Sequence, residues 1–515
     1  MFRKIKIDLK LLSGLLFLNS YSYLLPGQEA PQQIEIVHAN SIEFDKRINN
    51  TAKKLMGEVE FKHENTIMFC DSAYFYSEKN MIDAFGHVNI HKGDTLHLYG
   101  DLLNYNGNTK LAQVRKRVKL IDKEITLTTE YLDFKIAEDI GYYTNGGKIV
   151  NAENTLTSKT GYYFAKQKLF YYRTNVVIVN PEYTIKSDTL KYNTVSRTAF
   201  FFGPTNIISK ANFIYCENGW YNTHTNISQF NKNAYLKSGK QLIKGDSLYY
   251  ERNNGLGKAF KHIRIIDSTQ QVIITGNYAL YTEKPQYSMI TDSAVFMQYS
   301  DKDTIKDTMY VHADTLKSIS DSLDKEKTVR AYFHVKIFKS DMQGKCDSLT
   351  YTTADSTIRM FVKPVLWSNE NQMTSEYTEL HLANKKPNTI NFYNNSFIIS
   401  KDDTGKFSQI KGRKMIGYFK NDELYKVTVN GNGQTVYYLK NDKDSIIGVN
   451  KAESSDLVIY RENKKINKIV FLTKPDAVLY PLEKAPAEEL KLRDFKWYTL
   501  SRPKSKYDIF GWEDE

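Results

Sequence analysis

Gly245-Asp246-Ser247-Leu248-Tyr249-Tyr250 is a stretch that this chain repeats with variations. Close copies are Cys70-Asp71-Ser72-Ala73-Tyr74-Phe75 and Ser187-Asp188-Thr189-Leu190-Lys191-Tyr192. With the aspartate position numbered zero, copies occur at Asn40, Asp71, Asp101, Glu130, Lys159, Asp188, Glu217, Asp246, Asn277, Asp314, Asp347, Glu376, Arg413 and Glu453. Successive copies lie 29 to 40 residues apart, and most often 29. A period of this length indicates a protein built from structural repeats.

Each copy has the pattern of a β-strand with one apolar face. The residue before position zero is small in every copy, position +2 is usually apolar, and position +4 is aromatic in ten copies. Because alternate residues of a strand face the same side, we expect positions zero, +2 and +4 to share a face. Turn residues follow, such as Asn253-Asn254-Gly255, and then a second short strand, such as Gly86-His87-Val88-Asn89-Ile90.

Stacked repeats of this kind predict an all-β fold. One repeat cannot bury its apolar face alone, so neighbouring repeats must stack. We therefore expect an elongated open β-jellyroll of two facing antiparallel sheets. The abundance of Tyr (37) and Phe (27) and the scarcity of Pro (11) favour the same class.

The net charge of +12 fits an anionic partner such as a phosphorylated lipid. The basic residues are spread along the chain, and the run Arg115-Lys116-Arg117 is more typical of a solvent-facing strand. No aromatic nucleic-acid motif accompanies that run, so we exclude nucleic acid as a partner. Cys70, Cys216 and Cys346 all occupy the small position of the repeat, several repeats apart, and are expected to be free thiols.

Four segments are predicted along the chain. Residues 1–30 have the charged start and apolar stretch of an export signal, which is either cleaved or kept as an anchor. Residues 34–298 and 303–482 hold two runs of repeats, separated by the polar stretch that begins at residue 300. Residues 483–515 form a tail that contains Trp497 and Trp512 and is expected to fold back on the repeats or to bind a partner.

The apolar faces of the repeats either pack into a filled core or leave a continuous slot between the sheets. Glycines at position +2, Gly161 and Gly219, would leave room for a slot. The predicted lining residues of the slot are Phe44, Phe75, Leu103, Tyr105, Leu132, Phe134, Tyr163, Leu190, Tyr192, Tyr221, Leu248, Tyr250, Tyr281, Leu316, Leu349 and Tyr351.

No catalytic or metal site is expected. Gly245-Asp246-Ser247-Leu248 has the letters of the GDSL esterase motif, but the downstream Asp-x-x-His is missing and the same letters recur with the repeat. The run Asp301, Asp303 and Asp307 lacks the further ligands of a calcium loop. His87, His91 and His97 are too far apart along an extended chain to share zinc without a turn. We therefore expect neither enzymatic activity nor a cofactor.

The repeat resembles the OstA/LptA-type family of lipopolysaccharide-transport proteins. The similarity lies in the small-Asp-Ser-Leu-x-Tyr strands and in the Ala84-Phe85-Gly86-His87-Val88-Asn89-Ile90 strand, repeated behind an export signal. The resemblance implies an open β-jellyroll, or β-taco, in the periplasm, whose apolar interior shields the acyl chains of lipopolysaccharide or a related glycolipid. It also implies modules that join through their end strands into a transport bridge, with an outer-membrane barrel as a further candidate partner.

A second hypothesis is a structural or adhesive β-solenoid with a filled core and no ligand. A third, an outer-membrane barrel, is disfavoured because turns come too often for strands of about ten residues. An open slot between the sheets would favour the lipid-shielding hypothesis, and a filled core would favour the structural solenoid.

Overall fold

The computed structural model describes residues 32–44, 52–93, 96–122, 125–151, 154–299, 308–320, 326–384, 386–402, 404–421, 423–441, 445–462 and 465–513. The predicted signal at 1–30 and the polar stretch 300–307 lie outside these residues. The chain divides into two compact units, one of residues 1–123 with 133–138 and one of residues 124–132 with 139–515. The predicted domain boundaries remain predictions.

The first unit consists of antiparallel strands, and most of them are long. They are β1 (Glu35–His38), β2 (Ser41–Phe44), β3 (Ala52–His63), β4 (Thr66–Tyr76), β5 (Met81–Lys92), β6 (Leu96–Asn106) and β7 (Leu111–Asp122). Both β1 and β2 pair with β3, and β3 to β7 pair in chain order. Strand β8 (Ile125–Lys135) contributes residues to both units.

The second unit continues the same pattern. Its strands are β9 (Ile140–Tyr143), β10 (Gly147–Val150), β11 (Thr155–Ser158), β12 (Thr160–Phe164), β13 (Leu169–Val179), β14 (Tyr183–Asn193), β15 (Thr198–Ser209), β16 (Asn212–Asn222), β17 (Ile227–Ser238), β18 (Gln241–Glu251), β19 (Leu256–Asp267), β20 (Val272–Thr282), β21 (Tyr287–Gln298), β22 (Met309–Ser320), β23 (Lys327–Lys339), β24 (Met342–Thr352), β25 (Thr357–Phe361), β26 (Val365–Ser368), β27 (Asn371–Thr374), β28 (Tyr377–Ala383), β29 (Lys386–Lys401), β30 (Phe407–Lys420), β31 (Glu423–Lys440), β32 (Ile446–Glu462), β33 (Lys465–Leu472) and β34 (Asp476–Pro481).

Helical structure in the described residues is limited to short 3₁₀ segments. These are Arg252–Asn254, Leu482–Lys484 and Ala487–Leu490. Within the described part of the chain, no helix is long and apolar enough to cross a membrane. The structure thus confirms the all-β class and the antiparallel β-jellyroll that the repeat predicts.

Each long strand bends at its midpoint, and this bend creates two walls. In β6, Leu96 and Leu98 are buried, and beyond the bend Leu103 and Tyr105 are buried, so the inward face changes from even to odd positions. We call the half with positions −3 and −1 wall A, the half with positions +2 and +4 wall B, and the bend the crease. We had expected separate short strands for the two sheets, whereas in the structure one long strand supplies both walls.

Most alternate strands cross the crease with two residues in the left-handed region, whereas β15 has only Gly203, followed by Pro204, and the link between β9 and β10 has only Gly146. The corner pairs are Gly57-Glu58, Gly86-His87, Lys116-Arg117, Thr174-Asn175, Lys232-Asn233, Lys261-His262, Asp292-Ser293, Phe333-His334, Val362-Lys363, Asn394-Asn395, Gly431-Asn432 and Thr473-Lys474. The neighbouring strand has a single residue opposite each pair, position zero of the repeat, so the register shifts there as in a β-bulge.

Position zero holds the corner in place. Asp71 bonds Nδ1 of His87 at 2.8 Å, and Asp101 accepts two hydrogen bonds from the Arg117 guanidinium, each 2.8 Å. The same contact recurs between Glu217 and Asn233, Asp246 and His262, Asp314 and His334, and Glu376 and Asn395. The expectation that position zero shares the apolar face is wrong: no position-zero residue is buried, because the bend turns it outward.

We expect Gly86→Ala to destabilise the protein by about 1–3 kcal/mol. Gly86 has φ +75°, which an alanine adopts at a cost, and a Cβ there would collide with the Asp71 carboxylate. Urea unfolding of the full chain measures the change. Gly405→Ala is the control, since Gly405 has φ +78° and open space around its Cβ position. Equal losses of unfolding free energy in both variants would show that the collision with Asp71 does not contribute to the destabilisation.

The tail folds back on the outer surface of wall A in the second unit. Leu492 of the tail lies in an apolar cluster with Phe397, Ile399, Val436 and Tyr438. These side chains alternate along their strands with inward residues such as Ile398, which places them on the opposite face. The tail therefore covers an outer face that would otherwise expose apolar side chains, and intramolecular packing is its observed role.

Three glutamines on this outer face bind the tail. Gln409 donates to the Leu490 carbonyl and accepts from the Leu492 amide, both at 2.8 Å. Gln372 makes the equivalent pair of bonds with Lys496 and Tyr498, at 2.7 and 2.8 Å. Gln343 accepts from Arg502 at 2.9 Å. Gln409 and Gln372 thus supply hydrogen-bond partners to backbone groups of the tail, and Gln343 supplies one to the Arg502 guanidinium.

Replacing Gln409 by leucine should loosen the tail. The buried amide and carbonyl of residues 490–492 would lose their partners, at a cost of about 1–3 kcal/mol. Hydrogen exchange of the tail peptide is the measurement, and faster exchange there is the expected result. Gln270→Leu, at an exposed position, is the matched control. Unchanged exchange in the Gln409 variant would mean that apolar packing alone retains the tail.

Candidate functional site

The inward side chains form four rows along each unit, two beside the crease and two at the outer lips of the walls. Lip row A follows position −3 and its cross-strand partners, for example Met68 and Ile90. Lip row B follows position +4 and its partners, for example Phe75 and Ile82. Because the lip rows lie farthest from the crease, their exposure shows whether the walls meet.

In the first unit both lip rows are buried. Row A has Phe61, Met68, Ile90, Leu98 and Leu120, and row B has Phe75, Ile82, Tyr105 and Ala112. The two rows touch: the rings of Phe61 and Phe75 are 5.9 Å apart between centroids. The buried His63 Nδ1 lies 2.6 Å from the Tyr105 hydroxyl. This interior is a filled core, and burial holds the pKa of Tyr105 above its ordinary value.

Further contacts join the outer ends of the walls in the first unit. Glu64, in the turn after β3, forms an ion pair with Lys110, in the turn after β6. Lys92, at the end of β5, donates to the carbonyl of Ile136. Turns at the end of wall A therefore meet wall-B residues more than one repeat further along the chain.

An aromatic plug fills the beginning of the second unit. The Tyr143 hydroxyl lies 2.7 Å from Ser158 Oγ, and the Tyr143 ring occupies the space where Gly147 and Gly161 lack side chains. Tyr163 and Phe170 stack beside it with centroids 4.4 Å apart. The expectation that Gly161 leaves room is wrong, since the ring takes that space. Gly219 does not leave room either, because its Cβ would lie 2.5 Å from the Gln229 carbonyl oxygen.

Beyond the plug, lip row A and the tyrosines of lip row B become partly accessible to solvent, while the crease and the row-B partners Ala199 and Ser228 stay buried. Seven consecutive row-A residues are partly exposed, namely Ile207, Ile214, Leu236, Ile243, Ile265, Ile274 and Phe296. Below them, Cys216, Ala234 and Ile263 remain buried. Ile185 before this stretch and Val311 after it are buried, although Ile178, the row-A residue before Ile185, is partly exposed. We call the space between the accessible rows of β15–β21 the slot.

Lip row B of the slot alternates tyrosines with smaller residues. Tyr192, Tyr221, Tyr250 and Tyr281 pair across the strands with Ala199, Ser228, Gly257 and Ser288. Tyr281 is 39% exposed although its side chain faces inward. In the first unit the matching partners include Ile82, which is large, so the spaces between the aromatic rings are filled there.

Two contacts cross the mouth of the slot at the end beside the plug. The rings of Tyr183, on wall A, and Tyr221, on wall B, meet edge to face with centroids 6.3 Å apart. Next to them, Arg252 Nη1 lies 3.1 Å from Glu182 Oε2. This ion pair raises the pKa of Arg252. We call these four residues the clasp.

The turns around the slot carry positive charge on both walls. Lys210 and Lys240 lie in wall-A turns, and Arg197, Arg252 and Lys284 lie in wall-B turns. Glu182, Glu283 and Asp267 are acidic residues at the same ends of the strands.

The sixteen predicted lining residues fall into three groups. Phe75, Leu103, Tyr105, Leu132, Phe134, Tyr163, Leu190, Leu248 and Leu316 are buried, Tyr192, Tyr221, Tyr250, Leu349 and Tyr351 are partly exposed, and Phe44 and Tyr281 are exposed. Phe44, on the end strand β2, is 70% exposed. Their role as a lipid-lining set remains a prediction. Lip row A is not among the predicted lining residues, although an apolar residue at position −3 recurs at Met68, Leu98, Ile185, Ile214 and Ile243.

The residues that suggested chemistry have structural partners. Asp246 bonds His262 as at the other corners, and Ser247 Oγ accepts a hydrogen bond from Gln229 at 3.1 Å. The hairpin after β5 brings His91 opposite His97, with ring centroids 4.5 Å apart. A distance calculated along an extended chain does not include this turn and therefore overestimates the separation of the two rings. Among the described residues, no group of three His, Cys, Asp or Glu side chains could hold a metal. Asp301, Asp303 and Asp307 lie outside them.

The three cysteines lie beside the crease, as the repeat predicts. All are free and buried, and burial raises the pKa of each thiol to about 12. The reactive thiolate is therefore scarce at neutral pH.

The fold and the slot define a repeat-built β-jellyroll whose interior is partly filled and partly open. The chain matches the OstA-like protein family over residues 31–188, 184–246 and 213–300, and it belongs to that family. A solved structure that it resembles is LptH of Pseudomonas aeruginosa, described as the LptA homologous periplasmic component of the lipopolysaccharide transport device. The two are 14% identical, the match covers 22% of this chain and 93% of LptH, and the TM-score is 0.21. The comparison with curated proteins gave no match.

The plug predicts a pH dependence at alkaline pH. Burial raises the pKa of Tyr143 from 10.0 to about 12. A raised folded-state pKa means that the stabilisation is fully present below the unfolded value and is lost as pH rises through the folded value. The wild type should therefore lose stability relative to Tyr143→Phe between pH 10 and about 12.

Urea unfolding at pH 9 and at about pH 11.5 measures this difference, since the window lies between the two pKa values. Tyr131→Phe is the control, because the Tyr131 side chain is exposed. If the free energies of unfolding of both variants change with pH as that of the wild type does, ionisation of Tyr143 does not cause the loss of stability at alkaline pH.

Proposed function

We propose that the protein is a periplasmic component of lipopolysaccharide transport that shields acyl chains in its slot and passes them toward the outer membrane. Membership of the OstA-like family supports the general assignment. The observation that carries the proposal is the slot itself, in which seven inward apolar residues of row A face a row of partly exposed tyrosines.

The energetics favour a hydrocarbon ligand. Each methylene group transferred from water to an apolar surface contributes about 0.8 kcal/mol, so a chain of about twelve carbons contributes on the order of 10 kcal/mol. A desorbed lipid therefore needs a protein surface that covers its chains in the aqueous compartment. The slot offers such a surface, and its neighbouring repeats present similar side chains, so a chain moves between them at little cost. This role requires no enzymatic activity and no cofactor.

The end strands are the proposed contact points with other bridge proteins. In the first unit, β1 and β2 expose Val37 and Ile42, which are 51% and 49% exposed. In the second unit, β34 exposes Val478 and Leu479, which are 46% and 59% exposed. Unpaired strand edges with apolar side chains favour the addition of a strand from another module. An outer-membrane barrel at one end of the bridge is a further candidate partner.

The alternative, a structural or adhesive solenoid with a filled core, fits the first unit better than the slot. Its core is closed by contacts such as that between Phe61 and Phe75. A purely structural rod would have no reason to keep the two lip rows of β15–β21 apart, since their burial would stabilise it.

Photocrosslinking in cells tests the proposal. A photoreactive residue at Tyr250, on lip row B, should capture lipopolysaccharide, because its side chain faces the slot. The same residue at Lys191, which alternates with the inward Leu190 and Tyr192, should capture none. Absence of captured glycolipid at Tyr250 in an abundant, folded protein would contradict a lipid-binding role.

A further inference from the structure

One chain contains two kinds of interior. From Phe75 to Phe170 lip row B is buried, whereas from Tyr192 onward its tyrosines are partly exposed or, at Tyr281, exposed. Row A changes over the same strands but less cleanly: Leu156 is buried, Ile178 is partly exposed and Ile185 is buried again. From Ile207 to Phe296 row A is then partly exposed throughout. The clasp lies at this transition, since Glu182 and Tyr183 immediately precede Ile185.

The interior before the transition has no room for a hydrocarbon chain. The Tyr143 ring fills the space beside Gly147 and Gly161 and is fixed by its bond to Ser158. Phe170 stacks on Tyr163 and, at 5.7 Å between centroids, on Tyr172. A ligand chain could advance past this point only by displacing several buried aromatic rings, each of which contributes a large buried area.

The clasp closes the mouth at the same place. Tyr183 and Glu182 belong to the outer end of wall A, and Tyr221 and Arg252 to the outer end of wall B. Their contacts join the outer end of β14 on wall A to the outer ends of β16 and β18 on wall B. The plug therefore blocks the slot along its length, and the clasp blocks its mouth at these strands.

We infer that the ligand site is blind at its N-terminal end: acyl chains occupy only the slot of β15–β21 and stop at the clasp and the aromatic plug. This inference rests on the proposed function and narrows it. The chemical class of ligand is an amphiphile with saturated hydrocarbon chains and an anionic polar group, which faces the cationic turns around Lys210, Lys240 and Arg252. The seven strands place about 30 Å of apolar surface side by side.

The inference divides the predicted lining set. Tyr250 and Tyr281 lie at the ligand, Tyr221 belongs to the clasp at its end, and Tyr192, on β14, precedes the clasp on wall B. Phe75, Tyr105, Phe134 and Tyr163 belong to filled interior and never contact it. The first unit then serves the bridge through its body and its end strands, and lipid passes into and out of the slot on the open side of the clasp.

Cysteine protection on the purified full chain tests this division without bulky substitutions. Ser288→Cys places a thiol on lip row B of the slot, and Ala112→Cys places one at the matching row position of the first unit. The probe is purified lipopolysaccharide, and labelling by a small maleimide is followed by peptide mass spectrometry. We expect the Ser288 variant to label readily and lipopolysaccharide to slow its labelling at least tenfold. The Ala112 variant should label slowly with and without lipid.

A second measurement locates the end of the site. Photoreactive residues at Tyr250 and Tyr281 should capture lipopolysaccharide at least tenfold more than the same residue at Phe75 or Tyr163, with far-ultraviolet circular dichroism confirming the fold. Comparable capture at all four positions would overturn the blind end and leave lipid transport intact. Capture at none, together with unprotected Ser288→Cys, would overturn the proposed function itself. If the variants at Phe75 and Tyr163 fail to fold, the cysteine-protection experiment alone determines whether the ligand site ends at the plug.

Discussion

The structure depends on the contact between a position-zero side chain and the left-handed corner of the next strand. Without the bend that this contact stabilises, an eleven-residue strand such as Leu96–Asn106 would keep one inward face and could supply only one wall. Non-glycine residues in the left-handed region are uncommon and cost free energy. Here the cost is offset by bonds such as Asp101 to Arg117 and Asp71 to His87. The two walls, the buried crease and the space between the lips all follow from that bend.

Once the walls exist, small differences in their inward side chains determine whether they meet. In the first unit, Ile82 lies beside Phe75 and Tyr105, and the core closes. In the second, the tyrosines of lip row B lie beside Ala199, Ser228 and Gly257, and these tyrosines remain partly exposed. The same backbone therefore produces a packed core in one stretch and an accessible apolar surface in another.

Much of this fold was predictable from the sequence, and the reasons for the gaps are physical. The repeat period and the small residue before position zero predicted the stacked antiparallel strands and the buried cysteines. The corner was not predicted, because its residue pairs, such as Lys116-Arg117 and Phe333-His334, share no residue type. What these pairs share is that each lies opposite a position-zero residue of the neighbouring strand. The extent of the slot was missed because Tyr105 and Tyr250 are the same residue at the same repeat position. The residue seven places later does not separate the two stretches either, since alanine follows both the buried Tyr105, at Ala112, and the partly exposed Tyr192, at Ala199. Which side chains lie beside each ring is known only from the cross-strand register.

The alternation of corner-bearing and acid-bearing strands also constrains how such a chain changes length. Loss of one strand would set two left-handed corners next to each other, or two carboxylates, and the bulges would lose their complementary register. Gain or loss of a strand pair preserves the alternation, the parity of inward residues and the crease. Lengthening by duplication is therefore compatible with the fold only in whole repeats, which is the unit in which the sequence recurs.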